Sequence, residues 1–120
     1  IGVIMANTFK VKTNASMPSS SGTPDDLYTV PSSTTSVVLG LIVANRGASQ
    51  VTIDVKLVST TSDTETNETV FLINDAPVPA GSSLELLSGN KVVVQTGDKI
   101  QIDCSSSAGV DATLSIMEIT

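Results

Sequence analysis

Ser88-Gly89-Asn90-Lys91 has the Ser-x-x-Lys spacing in which a lysine amine can relieve an attacking serine of its proton. Enzymes that use this motif place it at the start of a helix. Here Gly89-Asn90 lies between two short apolar runs and reads as a tight turn that needs no chemistry. Asp63-Thr64-Glu65-Thr66-Asn67-Glu68 sets oxygen ligands at alternate positions, as the first half of a calcium loop does. The glycine expected at the sixth position is Glu68, and the glutamate expected at the twelfth is Asn74. A solvated hairpin tip is the default there, with calcium held between subunits as the alternative. Asp25-Asp26 is a pair of adjacent carboxylates, explained equally well by a Pro-Asp-Asp turn.

Cys104 is the one cysteine, in phase with Ile100 and Ile102 on an alternating run, so it reads as a small buried side chain rather than a nucleophile. No histidine is present, so neither a histidine-based triad nor a zinc set can be assembled. Asn14-Ala15-Ser16 and Asn67-Glu68-Thr69 fit the glycosylation sequon, a coincidence to be expected where Ser and Thr make up roughly a quarter of the chain. The expectation is a protein with no catalytic residues, no cofactor and no metal.

The elements that would position these groups are strands. Hydrophobic residues make up 40% of the 120, yet aromatics only 2%, so the core is built from Val, Ile and Leu, whose branched members favour strands. A chain of this length forms one domain. Net charge is −6, with scattered lysines and a lone Arg46, which argues against nucleic acid as a partner. A single cysteine allows no internal disulfide. No apolar run approaches the ~18–20 residues of a membrane helix. Residues 1–5 are too short and lack the basic flank of a signal peptide, and Met5-Ala6-Asn7 reads as an alternative natural start.

Period-two alternation predicts about nine strands separated by turn residues, the rhythm of a single antiparallel β-sandwich of jelly-roll or immunoglobulin-like type. The first, Phe9-Lys10-Val11-Lys12, is expected to turn its lysines outward, a defence against edge pairing. Residues 14–26 are rich in Ser, Pro, Gly and Asp and read as an extended loop or arm. Residues 27–30 make a short strand ended by Pro31. Residues 36–45 are apolar on both alternating sets, with Val37, Leu39, Leu41 and Val43 assigned to one face and Val38, Ile42 and Ala44 to the other. One layer covers one face of a strand, so the second face must meet a loop, another subunit or a different protein.

Residues 50–59 alternate cleanly, with Val51, Ile53, Val55 and Leu57 inward. Residues 60–69 form a polar hairpin tip, 70–73 a short buried strand, and 74–81 a loop with two prolines. Strands at 84–87, 91–95, 99–104 and 112–119 complete the set. In the last, Ala112, Leu114 and Ile116 share a face before the apolar residues switch to Met117 and Ile119, through a bulge or through a partner contact. The candidate contact residues are Val38, Ile42, Phe71, Ile73, Met117 and Ile119.

Three stretches and the ending carry a likeness. They are Leu39-Gly40-Leu41-Ile42-Val43-Ala44-Asn45, then Asn74-Asp75-Ala76-Pro77-Val78-Pro79-Ala80-Gly81-Ser82-Ser83-Leu84, then Val92-Val93-Val94-Gln95-Thr96-Gly97-Asp98-Lys99-Ile100, and the ending Leu114-Ser115-Ile116-Met117-Glu118-Ile119-Thr120. In this order they resemble small structural proteins of tailed bacteriophages, cyanophages among them, over roughly two thirds of the chain. The segment before Val37 falls outside the resemblance.

The resemblance implies a non-enzymatic virion component, assembled in the host cytoplasm. The leading expectation is a capsid decoration or cement protein, a homo-oligomer (a trimer) bound to the major capsid protein. A neck, collar or tail accessory subunit is the structural alternative, and a fibre-tip module binding a carbohydrate on the host surface is the alternative of a different class.

Overall fold

The computed structural model describes residues 6–15, 17, 24–59, 67–87, 89–105 and 109–120. Nine strands run in order: β1 (Asn7–Asn14), β2 (Asp25–Thr29), β3 (Thr35–Asn45), β4 (Val51–Val58), β5 (Val70–Val78), β6 (Ser83–Leu86), β7 (Val92–Gln95), β8 (Lys99–Cys104) and β9 (Val110–Ile119). They form two antiparallel sheets packed face to face over an aliphatic core. The first has the order β1-β9-β3-β6, with β7 also on β3; the second has the order β2-β8-β4-β5. Strand β6 pairs with residues 41–44 of β3 and β7 with residues 35–38, so the two act as one interrupted strand. Counted that way, the partners are nested, first with last and second with next-to-last. That is the wrapped hairpin of a jelly roll, not the immunoglobulin order.

The core is built from the alternating sets that the strand pattern predicts, with Ile53, Val55, Ile100, Ile102, Leu114 and Ile116 fully buried. Strand β4 follows the expected phase, with Val51, Ile53 and Val55 inward and Leu57 packed against the core. Strand β3 does not. Its pairing with β9 shifts between Val38 and Gly40, so Leu39 is an extra residue and the inward set changes parity. Ser36 and Val38 face inward before the bulge, and Leu41, Val43 and Asn45 after it. Val37 and Ile42 therefore share the outer face, and Val38, at 0% exposure, belongs to the core rather than to a contact surface.

The parity change is in β3 and not in β9, whose register against β1 is unbroken from Ile119 to Ala112. Ala112, Leu114, Ile116 and Glu118 all point inward, and Met117 and Ile119 lie on the opposite face. Strand β5 is longer than expected, for it takes in Asn74, Asp75, Ala76, Pro77 and Val78. It is an edge strand, where Pro77 costs no ladder bond that a neighbour needs. Two register shifts against β4 interrupt it, one beside Asp75 at φ 52°. Of the expected 70–73 strand, Val70 and Phe71 stand exposed and Leu72 and Ile73 pack against the core, which Ala76 and Val78 join farther along.

Candidate functional site

Strand β1 lies against β9 so that Lys10 pairs with Ile116 and Lys12 with Leu114, both inward positions. The lysines thus point to the interior side, the reverse of the expectation, while Phe9 and Val11 face outward. The reason lies across the gap. Glu118 ends the inward stripe of β9 and is buried, and an unpaired carboxylate there would be costly. Lys10 Nζ lies 2.7 Å from Glu118 Oε1, and Tyr28 of β2 donates its hydroxyl proton to Glu118 Oε2 at 2.6 Å. With that proton committed, Ser36 of β3 donates to the Tyr28 oxygen at 2.6 Å. Lys12 Nζ sits 6.0 Å from the Tyr28 ring centre.

This cluster ties both sheets together at one end of the sandwich. Hydrogen bonds from Lys10 and then Tyr28 hold the Glu118 carboxyl below the usual range, against the opposing effect of burial. Burial first, and Glu118 second, push the Tyr28 phenol up to about 12. A phenol so reluctant to ionise is a poor base or nucleophile at neutral pH, and its hydrogen-bonding capacity is already used. The cluster acts as a clamp.

Its pH dependence has two limbs. The carboxyl is depressed by folding, so its contribution is complete above about pH 4.5 and is lost as pH falls further. The phenol is raised, so its contribution is complete below pH 10.0 and disappears as pH climbs through about 12. Glu118→Gln is expected to cost about 2 kcal/mol at neutral pH. It should also flatten the acid limb in thermal melts between pH 5 and 3, and an unchanged limb would contradict the clamp.

Of the other sequence candidates, only part falls among the described residues. Ser88 and residues 60–66 lie outside the described residues, as do residue 16 and residues 18–23 of the expected arm; Lys91 is exposed. Asp25 accepts a 2.6 Å bond from Asn14 Nδ2, while Asp26 takes Gln101 Nε2 at 2.6 Å and Lys99 Nζ at 3.2 Å. The Gln101 bond leads in keeping the Asp26 carboxyl below its ordinary value. Cys104 is buried, which pushes its thiol up to about 11 and leaves it protonated. Among the described residues, no group of three His, Cys, Asp or Glu side chains could hold a metal ion.

The two outer faces differ sharply. Across the second sheet, aligned residues read Asp26, Gln101, Lys56 and Phe71, with the Lys56 ammonium 5.0 Å from the Phe71 ring centre. Across the first they read Phe9, Met117, Val37 and Val93. Phe9 is 72% exposed and Val93 60%, with Val11 and Ile42 exposed on the same side. No protein-family model, curated protein or solved structure matches this chain.

Of the contact candidates, Ile42, Met117 and Ile119 share this outer face. Phe71 lies on the other sheet, Ile73 packs on the core and Val38 is inside it. Phe9, Val11, Val37 and Val93 were not among the candidates. The signal for the first two was present in the alternation of β1 but depended on which parity faced in. Glu118 in phase with three apolar residues was also a sign, since an acid on an inward stripe requires a buried partner.

Proposed function

We propose that this chain is a non-enzymatic structural subunit of a tailed-phage virion, most specifically a decoration or cement protein on the head. The observation that carries the reading is the outer face of the first sheet. It carries an apolar row across four strands, on a molecule of net charge −6 whose buried Glu118 is already satisfied by Lys10 and Tyr28. Exposed apolar faces of that kind are used for protein contact. The phage-like segments named above fall on β3, β6, β7 and the end of β9 in this sheet, and on the end of β5 and the start of β8 in the other. Repeated around a symmetric shell, modest contacts of this type add up to a large stabilisation.

Jelly-roll connectivity is common to capsid proteins and to lectins, so connectivity alone does not choose between them. Burial of Tyr28 in the clamp removes the one tyrosine as a sugar platform, which favours the structural role. Cryo-microscopy of particles carrying a labelled chain tests the reading. Label over the whole head at hundreds of copies is the expected result. Label at one vertex or along the tail, at about six to eighteen copies, would transfer the protein to the neck or tail.

A further inference from the structure

We propose that the outer face of the first sheet is closed by a second copy of this chain, packed sheet on sheet about a two-fold axis. This pairing rests on the proposed structural role for its purpose, while its measurement needs only the isolated protein. Three observations point to self-association.

The first is chemical. Among the described residues, the outward positions of these five strands carry only two charges, Glu85 near the margin and Asp111 at the end, the latter bonded to Arg46 at 3.0 Å. The second sheet instead presents charges of both signs, Asp26, Lys99 and Lys56, which cost more to strip of water than the apolar side chains of the first. A basic partner would find no acidic patch on this face to recognise. A membrane surface would call for a rim of several lysines and arginines, whereas the one arginine at the end of this face, Arg46, is bonded to Asp111.

The second is size. Phe9, Val11, Val93 and Ile42, with smaller shares from Met117 and Val37, expose apolar side-chain area of about 500 Å². A stable interface buries about 800 Å² on each partner, rather more than half of it apolar. The face therefore supplies about the apolar share that one side of a stable dimer requires.

The third is shape. Four strands in register make a twisted, regular surface whose side chains alternate in height across the row: Phe9 and Val93 stand out at its two ends, and Met117 and Val37 are half-buried between them. Sheets of this kind pack on each other at small angles with interdigitating rows. An isologous face closes after two copies, so the expected particle is a dimer and not a trimer.

Sedimentation velocity of the isolated chain at tens of micromolar tests this directly. The expected result is a dimer, with Phe9→Glu combined with Val93→Glu weakening association about a hundredfold and leaving monomer. In the single subunit both side chains point away from the core, so the double variant should keep the parent's circular dichroism spectrum and melt cooperatively, below the parent only by the stabilisation that pairing supplies. Phe71→Glu, on the opposite sheet, should leave the dimer intact. A parent chain that stays monomeric at 100-fold higher concentration, a dimer that survives the double variant, or a dimer broken by Phe71→Glu alone would each overturn the proposal. So would a monomer that begins to pair once residues 1–5 are deleted, since the chain's own leading segment would then be the occupant. A dimer whose label is absent from the head would refute the decoration role and keep the pairing. A monomer found all over the head would do the reverse.

Discussion

Asn45→Ala is expected to lower the thermal midpoint by about 10 °C, the largest effect of any single side-chain truncation outside the apolar core. Asn45 is buried at the end of β3 and serves five hydrogen bonds. Its backbone N–H reaches the Ser82 carbonyl at 2.9 Å and its carbonyl accepts from Gly81 at 2.8 Å. The side-chain amide donates to the carbonyls of Ser49, at 2.8 Å, and Val78, at 2.9 Å, and its oxygen accepts from the Gly47 N–H at 2.9 Å. The side chain thus holds the β3–β4 turn to the end of β5.

Alanine keeps the backbone bonds and abandons three polar groups, of which the Val78 carbonyl is buried. A buried group left without a partner costs about 1–3 kcal/mol, and the loss here should total about 3 kcal/mol. Asn45→Asp sharpens the test. It preserves the acceptor for Gly47 but sets a carboxylate against two carbonyl oxygens, so it should be at least as damaging at neutral pH. Part of the loss should return in acid, where the protonated form again has a donor to give. Urea titrations of both variants at pH 7 and pH 4 check the pair of outcomes. If both match the parent, the corner does not depend on this side chain.

Gly109→Ala is expected to cost about 3 kcal/mol, more than the same change at Gly97 by about 2 kcal/mol. Both glycines have positive φ, 73° and 89°, so both substitutions carry the strain of a left-handed backbone. They differ in what surrounds them. A Cβ at Gly97 meets nothing within 4 Å, whereas one at Gly109 falls 2.7 Å from the Gly47 nitrogen and 3.0 Å from its Cα. Those are backbone atoms and cannot rotate away. The same approach carries the 2.8 Å bond from the Arg46 N–H to the Gly109 carbonyl, which extends the β3–β9 ladder past Asn45. Gly109→Ala must therefore break the ladder or push the corner open. Equal losses at the two positions, measured by denaturant unfolding, would show that backbone strain alone is at work and that the close approach yields freely.

Asn45, Gly47 and Gly109 form one corner, yet no local pattern marks them as a unit. Asn45-Arg46-Gly47-Ala48 is readable as a turn because Asn, Gly and small polar residues reverse a chain cheaply. That the asparagine reaches Val78, thirty-three residues on, follows from the placement of β5 at the edge of the other sheet. The clamp at the opposite end is similar. Lys10, Tyr28, Ser36 and Glu118 are scattered along the chain, and only the pairing of β1 with β9 and the packing of β2 beneath them make a cluster.

Local chemistry was enough for the existence of all nine strands, for the sandwich and for an aliphatic core. Alternation has a period of two whatever the neighbours are, and turn residues act on their own backbone. Parity is different, because one extra residue reverses every side chain beyond it, and neither the bulge at Leu39 nor the inward lysines of β1 leaves a mark in composition. The edge position that admits Pro77 is likewise a property of strand order.

The same division runs through the candidate site. Doubly apolar β3 already indicated a face that one layer could not cover, and Ile42, Met117 and Ile119 lie on it. The tertiary structure decided that Val38 belongs to the core, that Phe71 belongs to the other sheet, and that Phe9, Val37 and Val93 align with Met117 in a single row. The physical reason is that a strand's sequence specifies what alternates, while register and strand order specify which alternate set faces the core and which residues from distant strands stand side by side.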